Sequence, residues 1–135
     1  MDSADNRKYA RVTARNLVKC EKFLLKECDW APKTTNVTKN ISAEGLLFET
    51  DQAYQLGDVV RLELNLPGWT KHVQELGFGS ELPKADLQQL VGTVVRVELL
   101  SGSRYDVGVC FAEMAKNDRW ALMSYIYDNV GGTDK

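Results

Sequence analysis

Apolar and polar residues alternate along most of this chain. In the segment 59–66, every second residue from Val60 to Leu66 is apolar, which is the spacing of a strand with one buried face. The same period runs through five further segments, at 92–100 and 105–111 and, less regularly, at 17–26, 34–41 and 45–50. The pattern therefore predicts an all-β protein with one helical exception at its C-terminal end.

The alternation also predicts which side chains face the core. The expected inward residues are Val60, Leu62, Leu64 and Leu66, then Val95, Val97 and Leu99, then Tyr105, Val107, Val109 and Phe111. The acidic residues between them, Glu63, Glu98 and Asp106, are expected in solvent, as is ordinary for strands with one wet face.

The connections predict how the strands are joined. Ser101-Gly102-Ser103 separates two strong strands and predicts a hairpin, and the strand order predicts an antiparallel meander. A sheet of this size hides both faces only if it closes or is covered. We therefore expect a small antiparallel β-barrel of six or seven strands with a C-terminal α-helix.

The last element has the period of a helix. Asn117 is the expected N-cap, with Asp118 in the first turn where negative charge is favourable. The expected buried stripe is Met123, Ile126, Tyr127 and Val130, widened by Trp120 and Leu122. Gly131-Gly132 is expected to end the helix, which would plug one end of the barrel.

A long connection interrupts the strands at 67–91. It contains Pro67-Gly68, Gly77-Phe78-Gly79 and a short helix expected over 84–90. Connections of this length are usually functional or disordered, and the sequence leaves the role of this one open. The expected division is a flexible segment over 1–15, a barrel domain over 16–130, and a disordered tail over 131–135.

Composition narrows the class of function. The chain has 135 residues, 44% of them hydrophobic and 27% charged, with a net charge of -2, which fits one globular domain. An acidic balance disfavours general binding to nucleic acid or anionic membranes. No apolar run marks a secretory signal or a membrane span, so we expect a cytoplasmic protein without membrane insertion.

Cysteine and histidine give little support for catalysis or metal binding. Cys20, Cys28 and Cys110 form no CxxC pair and are expected as reduced thiols in or near the core. His72 is the only histidine and is expected in a solvated loop. No hydrolase, protease or phosphate-loop motif occurs, so we expect a protein that is not an enzyme and holds no metal.

Two short patterns carry binding chemistry. Arg7 and Arg11 form an RxxxR just before the first strand, and residues 1–15 hold four cationic and two acidic side chains. Asn40, Ser42 and Gly45 form an NxSxxG where one strand turns into the next. Guanidinium groups bind phosphate and stack on flat bases. In an extended strand Asn40 and Ser42 would share one face, with Ile41 in the core.

Together these motifs resemble the PilZ domain, a bacterial receptor for cyclic di-GMP. RxxxR before the first strand, NxSxxG from Asn40, the pattern GTVVRV…YDVGVCF from Gly92 to Phe111, and a short final helix follow the order of that family over about residues 6–130. The resemblance implies a PilZ-like barrel in the second-messenger pathways of bacteria.

The resemblance also implies roles for individual residues. Arg7 and Arg11 would clamp the phosphates and stack on guanines, with Lys8 adding positive potential. Asn40, Ser42 and Gly45 would meet a guanine on the barrel surface. Asn6 stands where many members have a further arginine, which leaves open whether one or two ligand molecules bind.

The residues leave two other functions open. A PilZ-type adaptor that has lost its nucleotide and works by protein contacts alone is the first. A small barrel that binds single-stranded nucleic acid is the second, and it would need a basic groove with exposed aromatic residues. We expect cyclic di-GMP to order the N-terminal segment on the barrel and a partner protein to read the result.

Overall fold

Six antiparallel strands close into a barrel in the computed structural model of this chain. The structure describes residues 12–13, 15–77, 86–112 and 114–129, with main chain alone at 12–13 and 129. The strands are β1 (Val12–Thr13), β2 (Leu17–Leu24), β3 (Asp29–Trp30), β4 (Thr34–Ile41), β5 (Gly45–Thr50), β6 (Val59–Asn65), β7 (Leu87–Leu99) and β8 (Tyr105–Phe111). The helices are α1 (Trp69–Leu76) and α2 (Lys116–Asn129).

The barrel closes because the first long strand pairs on both sides. The strands follow the order β4, β5, β8, β7, β6, β2, and β2 pairs again with β4. Each of the two-residue strands pairs with the end of a longer strand: β1 with β4, and β3 with β2. The predicted barrel of six or seven strands is confirmed. The predicted meander is wrong in its order, since β5 pairs with β8 and β6 pairs with β2.

The inward face of the barrel follows the alternation in β6 and β8. Val60, Leu62 and Leu64 are fully buried, and Val107 and Val109 belong to the same core cluster. Phe48 fills the interior edge-on against Tyr54. The predicted inward positions of β6 and β8 are confirmed, because a regular strand keeps its two faces apart.

A β-bulge changes the buried face of β7. The register against β8 shifts between Val94 and Arg96, so the extra residue reverses the side on which later residues lie. Val94 is buried, whereas Val95 is 57% exposed and Leu99 is 61% exposed. The prediction is therefore wrong for Val95, which still follows the alternation of Leu90 and Val94, and confirmed for Val97, which packs against the core after the shift. Leu99, at the end of the strand, is exposed, so its predicted inward position is wrong.

Helix α2 covers the end of the barrel where β4 and β6 finish. Its buried stripe is formed by Ala121, Leu122, Tyr125 and Ile126, and the hydroxyl of Tyr125 donates to the carbonyl of Pro67. The helix begins at Lys116, so Asn117 is not its cap, while Asp118 lies in the first turn as expected.

The outer face of α2 carries two large aromatic residues. Trp120 and Tyr127 are 50% and 66% exposed, so their assignment to the core is wrong. Seven residues make about two helical turns, which places both on the face opposite the buried stripe. Val130, Gly131 and Gly132 lie outside the described residues. Within the described residues, no helix is long and apolar enough to cross a membrane.

The connection after β6 contains the second helix. α1 begins two residues after Pro67, and β7 already begins at Leu87, so the predicted helix over 84–90 is wrong from Leu87 onward; residues 84 and 85 lie outside the described chain. The carboxylate of Asp86 accepts from the main-chain N–H of Thr70 and of Gly68. These bonds lower the pKa of Asp86 and join the two ends of the connection.

His72 lies in α1 and not in a loop. Its ring stacks on Trp69, with centroids 6.0 Å apart, and meets Tyr125 edge-on at 5.6 Å. Its Nε2 atom is buried and has no hydrogen-bond partner among the described residues. The expectation of a solvated histidine is therefore wrong, and this aromatic cluster packs α1 on α2.

The cysteines occupy two environments. Cys20 is buried in β2, and this burial raises the pKa of its thiol to about 12. Cys28 and Cys110 are exposed. The expectation of thiols in or near the core therefore holds for Cys20 alone.

Shortening a buried side chain of α2 should destabilise the fold. Leu122→Ala removes a fully buried side chain, and we expect it to lower the free energy of unfolding by about 2–5 kcal/mol. Leu25→Ala, at a position that is 81% exposed, is the matched control and should change it by less than about 0.5 kcal/mol. Urea unfolding measures both, and equal effects would contradict the packing of α2.

Thiol labelling should separate the cysteines. Because the thiolate is the reactive form, we expect Cys28 and Cys110 to react quickly with an aromatic disulfide reagent at neutral pH, and Cys20 only after unfolding. Stopped-flow absorbance counts the fast thiols. Three fast thiols in the native protein would show that Cys20 is accessible.

Candidate functional site

The NxSxxG motif forms a tight turn between β4 and β5, at the barrel end covered by α2. The main-chain N–H of Ser42 donates to the carbonyl of Gly45 at 2.8 Å. The Ser42 hydroxyl accepts from the N–H of Glu44 at 3.1 Å and donates to the same Gly45 carbonyl at 3.4 Å. Such side-chain bonds to the local main chain stabilise turns. Ser42 thus holds the shape of the loop.

Ser42 does not share a surface with Asn40. Strand β4 ends at Ile41, so the alternation of faces stops there, and the side chain of Ser42 is fully buried. The prediction that both side chains project from one exposed face is wrong. The burial of Ile41 in the core is confirmed.

Gly45 begins β5 directly against the main chain of β8. A Cβ atom at this position would lie 2.0 Å from the carbonyl oxygen of Val109, closer than any side chain tolerates. The close approach expected at Gly45 therefore exists within the protein, between two paired strands. A residue other than glycine would push β5 and the attached turn away from the barrel.

Asn40 lies beside a bulge and has an unused acceptor. The register between β4 and β5 shifts between Thr38 and Asn40. The residue is half-buried, and its Oδ1 atom has no hydrogen-bond partner among the described residues. A buried amide oxygen without a partner costs free energy, so within the described residues the motif holds one acceptor that is not matched by a donor.

The N-terminal segment joins the barrel at the motif. β1 pairs with the end of β4, with Val12 opposite Ile41 and Thr13 opposite Asn40. Arg7, Lys8 and Arg11 lie outside the described residues. Arg11 directly precedes Val12, so the chain that carries these cations reaches the barrel beside Asn40.

A charged network covers the strands next to the motif. Lys39 donates to both carboxylate oxygens of Asp106 at 2.9 and 3.2 Å, and Arg104 donates to Glu49 at 3.0 Å. The Nζ atom of Lys39 is also 3.9 Å from the Oε1 atom of Glu49. Asp106 is only 6% exposed, so its predicted position in solvent is wrong. The ammonium group of Lys39 covers its carboxylate.

A polar cavity opens beside this network. It has a volume of about 290 Å³, and its lining includes Arg15, Lys39, Glu49 and Arg104. Sequence reasoning missed this group, because Lys39, Glu49 and Arg104 come from three separate segments and no short motif joins them. In the described part of the chain, no cluster of three or more His, Cys, Asp or Glu side chains could hold a metal ion.

Comparison with protein families decides the relationship of this chain. The model of the PilZ domain matches residues 5–128. The chain belongs to the PilZ domain family. A comparison with curated proteins gave no match.

Solved structures of PilZ proteins share the fold. Inhibitor of motility (MotI/DgrA) of Bacillus subtilis superposes with a TM-score of 0.66 at 19% identity, covering 97% of this chain and 54% of that one. The PilZ domain of YcgR from Escherichia coli, solved with c-di-GMP, gives 0.63 at 12% identity, covering 95% and 93%. The MrkH–c-di-GMP complex of K. pneumonia gives 0.59 at 14%, covering 92% and 52%. This PilZ chain thus spans about half the length of MotI and MrkH.

Substituting Gly45 should displace the turn. We expect Gly45→Ala to lower the free energy of unfolding by about 3 kcal/mol, at the top of the usual range for overpacking, because the obstacle is main chain. Gly57→Ala is the control: its φ is +91°, but a Cβ there meets nothing within 4 Å, so its cost should stay near 1–2 kcal/mol. Denaturant unfolding compares them. An equal or smaller cost at Gly45 would contradict the crowding against Val109.

Proposed function

We propose that this PilZ domain is a receptor for cyclic di-GMP that binds its ligand between the Asn40–Gly45 turn and the N-terminal arginine segment. The observation that carries the proposal is the pairing of β1 with the end of β4. It brings the chain that bears Arg7, Lys8 and Arg11 to the same edge of the barrel as Asn40. The pairing of Thr13 with Asn40 therefore supports a site to which both motifs contribute.

The turn supplies a rigid edge for a base. Asn40 offers an amide oxygen without a partner among the described residues, and guanine carries ring and exocyclic N–H donors that such an oxygen can accept. Ser42 and Gly45 act in this proposal by holding the turn, through the hydroxyl bonds and through the close contact with Val109. A preformed site loses less conformational entropy on binding.

The arginines supply charge and stacking. Guanidinium groups form bidentate, charge-assisted bonds to phosphate and stack on planar bases, and cyclic di-GMP presents two phosphates and two guanines. Arg7 and Arg11 are the proposed clamp, and Lys8 adds positive potential. With Asn6 in place of a further arginine, we propose one bound ligand molecule.

Two of the similar structures support the choice of ligand. The YcgR domain and MrkH were each solved with c-di-GMP, as their descriptions state, and both share the fold of this chain. In our proposal the ligand orders the arginine segment on the barrel, and a partner protein recognises the changed surface. The domain acts as a binding module and not as an enzyme.

Calorimetric titration of cyclic di-GMP tests the proposal. Arg7→Ala and Arg11→Ala should each weaken binding about tenfold or more, because a hydrogen bond to a charged group contributes about 1.5–3 kcal/mol. Asn40→Ala should weaken it several-fold, since a neutral hydrogen bond contributes about 1 kcal/mol. Arg96→Ala is the control: Arg96 pairs with Glu98 on β7, and its loss should leave the affinity unchanged.

The ligand panel separates the alternatives. We expect GTP and cyclic di-AMP to bind far more weakly than cyclic di-GMP. A flat titration of the wild-type protein would overturn the receptor assignment in favour of an adaptor that uses protein contacts alone. Salt-sensitive binding to an oligonucleotide would instead favour a nucleic-acid function. Binding that the arginine variants leave unchanged would overturn the clamp.

A further inference from the structure

Helix α2 reaches into the motif turn through one side chain. The guanidinium of Arg119, in the first turns of α2, donates from Nη1 to the carbonyl oxygen of Ala43 at 3.2 Å. Ala43 is fully buried and lies between Ser42 and Glu44, at the centre of the turn. Arg119 itself is half-buried.

A second bond ties the turn to the same region of the chain. The main-chain N–H of Phe111, the last residue of β8, donates to the carbonyl of Glu44 at 2.7 Å. The carbonyl of Ala43 thus accepts a hydrogen bond from α2, and the carbonyl of Glu44 accepts one from the end of β8. The sequence gives no indication of this connection, because Arg119 lies 76 positions from Ala43.

We propose that Arg119 is a positioning residue for the nucleotide-binding turn and couples ligand binding there to the first turns of α2. This inference rests on the proposed function of the turn. Arg119 does not touch the ligand in this account. It fixes the buried Ala43 carbonyl, and through it the orientation of the peptide units that follow Asn40.

The coupling is reciprocal. If the Arg119 bond favours the turn geometry that binds the ligand, bound ligand must favour the position of α2 that makes the bond. A guanidinium bond to a carbonyl depends on its direction. A change of the turn therefore changes the first turns of α2, while the stripe of Leu122 and Tyr125 stays packed on the barrel.

Two tryptophans of the chain allow the coupling to be measured: Trp120 lies next to Arg119, and Trp30 lies far from it and serves as the reference. Trp120 follows Arg119 and is half exposed, so its indole N–H signal in NMR spectra responds to changes at this point of α2. Trp30 lies in β3, where its ring covers the guanidinium of Arg61 at 4.3 Å, at the barrel end where β4 begins. Its indole signal should not respond.

The test combines calorimetry with indole NMR on the full chain. We expect cyclic di-GMP to shift the Trp120 indole signal of the wild type and to leave that of Trp30 in place. Arg119→Met should weaken binding about five- to tenfold and abolish the Trp120 shift at saturating ligand. Arg119→Lys keeps one cationic donor and should recover part of both. Arg96→Met, which removes an exposed ion pair on β7, should behave as wild type.

The outcomes separate this inference from the proposed function. If the wild type binds and its Trp120 signal does not move, the coupling is overturned and the receptor function stands. The same holds if Arg119→Met binds cyclic di-GMP and shifts Trp120 like wild type, or if Arg119→Lys recovers neither the affinity nor the shift. If the wild type does not bind cyclic di-GMP, the proposed function fails and the coupling fails with it.

Discussion

The structure depends on how closely two strands approach the main chain of β8. A Cβ atom on Gly45 would lie 2.0 Å from the carbonyl oxygen of Val109, and one on Gly92 would lie 2.6 Å from that of Cys110. Strands β5 and β7 pair with β8 on its two sides. The barrel therefore closes around this stretch only because both neighbours lack a side chain there.

This constraint also places the Ser42–Gly45 turn. Since Gly45 pairs closely with β8, the turn from Ser42 to Gly45 lies against the barrel, and its main-chain carbonyls need donors there. Phe111 and Arg119 provide them. Asn40 follows a bulge just before this turn, and its Oδ1 atom has no hydrogen-bond partner among the residues that the structure describes. The residues that hold the turn are thus different from Asn40, the residue proposed to meet the ligand.

Much of the fold could be predicted from the sequence because period two is a local signal. The bounds of β4, β5 and β8 match the predicted segments, and the buried residues of β6 match completely. The wrong predictions concern residues whose burial depends on tertiary contacts, which the local alternation of residues does not encode. The bulge in β7 places Val95 and Val97 on different faces, against the predicted alternation, and nothing in the sequence marks it. Trp120 and Tyr127 fit a helical stripe, but α2 packs through its other side, which carries Leu122 and Tyr125.

The candidate site could be predicted only as far as its motifs reach. The sequence shows Asn40, Ser42 and Gly45 as one motif. The alternation of a strand predicted an exposed Ser42, but β4 ends at Ile41 and Ser42 is buried. The ion pair of Lys39 with Asp106 and the bond from Arg119 to Ala43 join residues far apart in sequence. Such contacts depend on strand register and helix placement, which no motif spacing encodes.

A map of backbone amide signals of the isotope-labelled protein, recorded with and without cyclic di-GMP, tests the central claim most directly. The account predicts that the largest shifts fall on Thr13, on Asn40 to Gly45 and on Arg119. It also predicts none on the opposite face of the barrel, around Lys19, Arg61 and Gln89. Shifts concentrated on that opposite face, or saturating ligand without shifts at the turn, would contradict it.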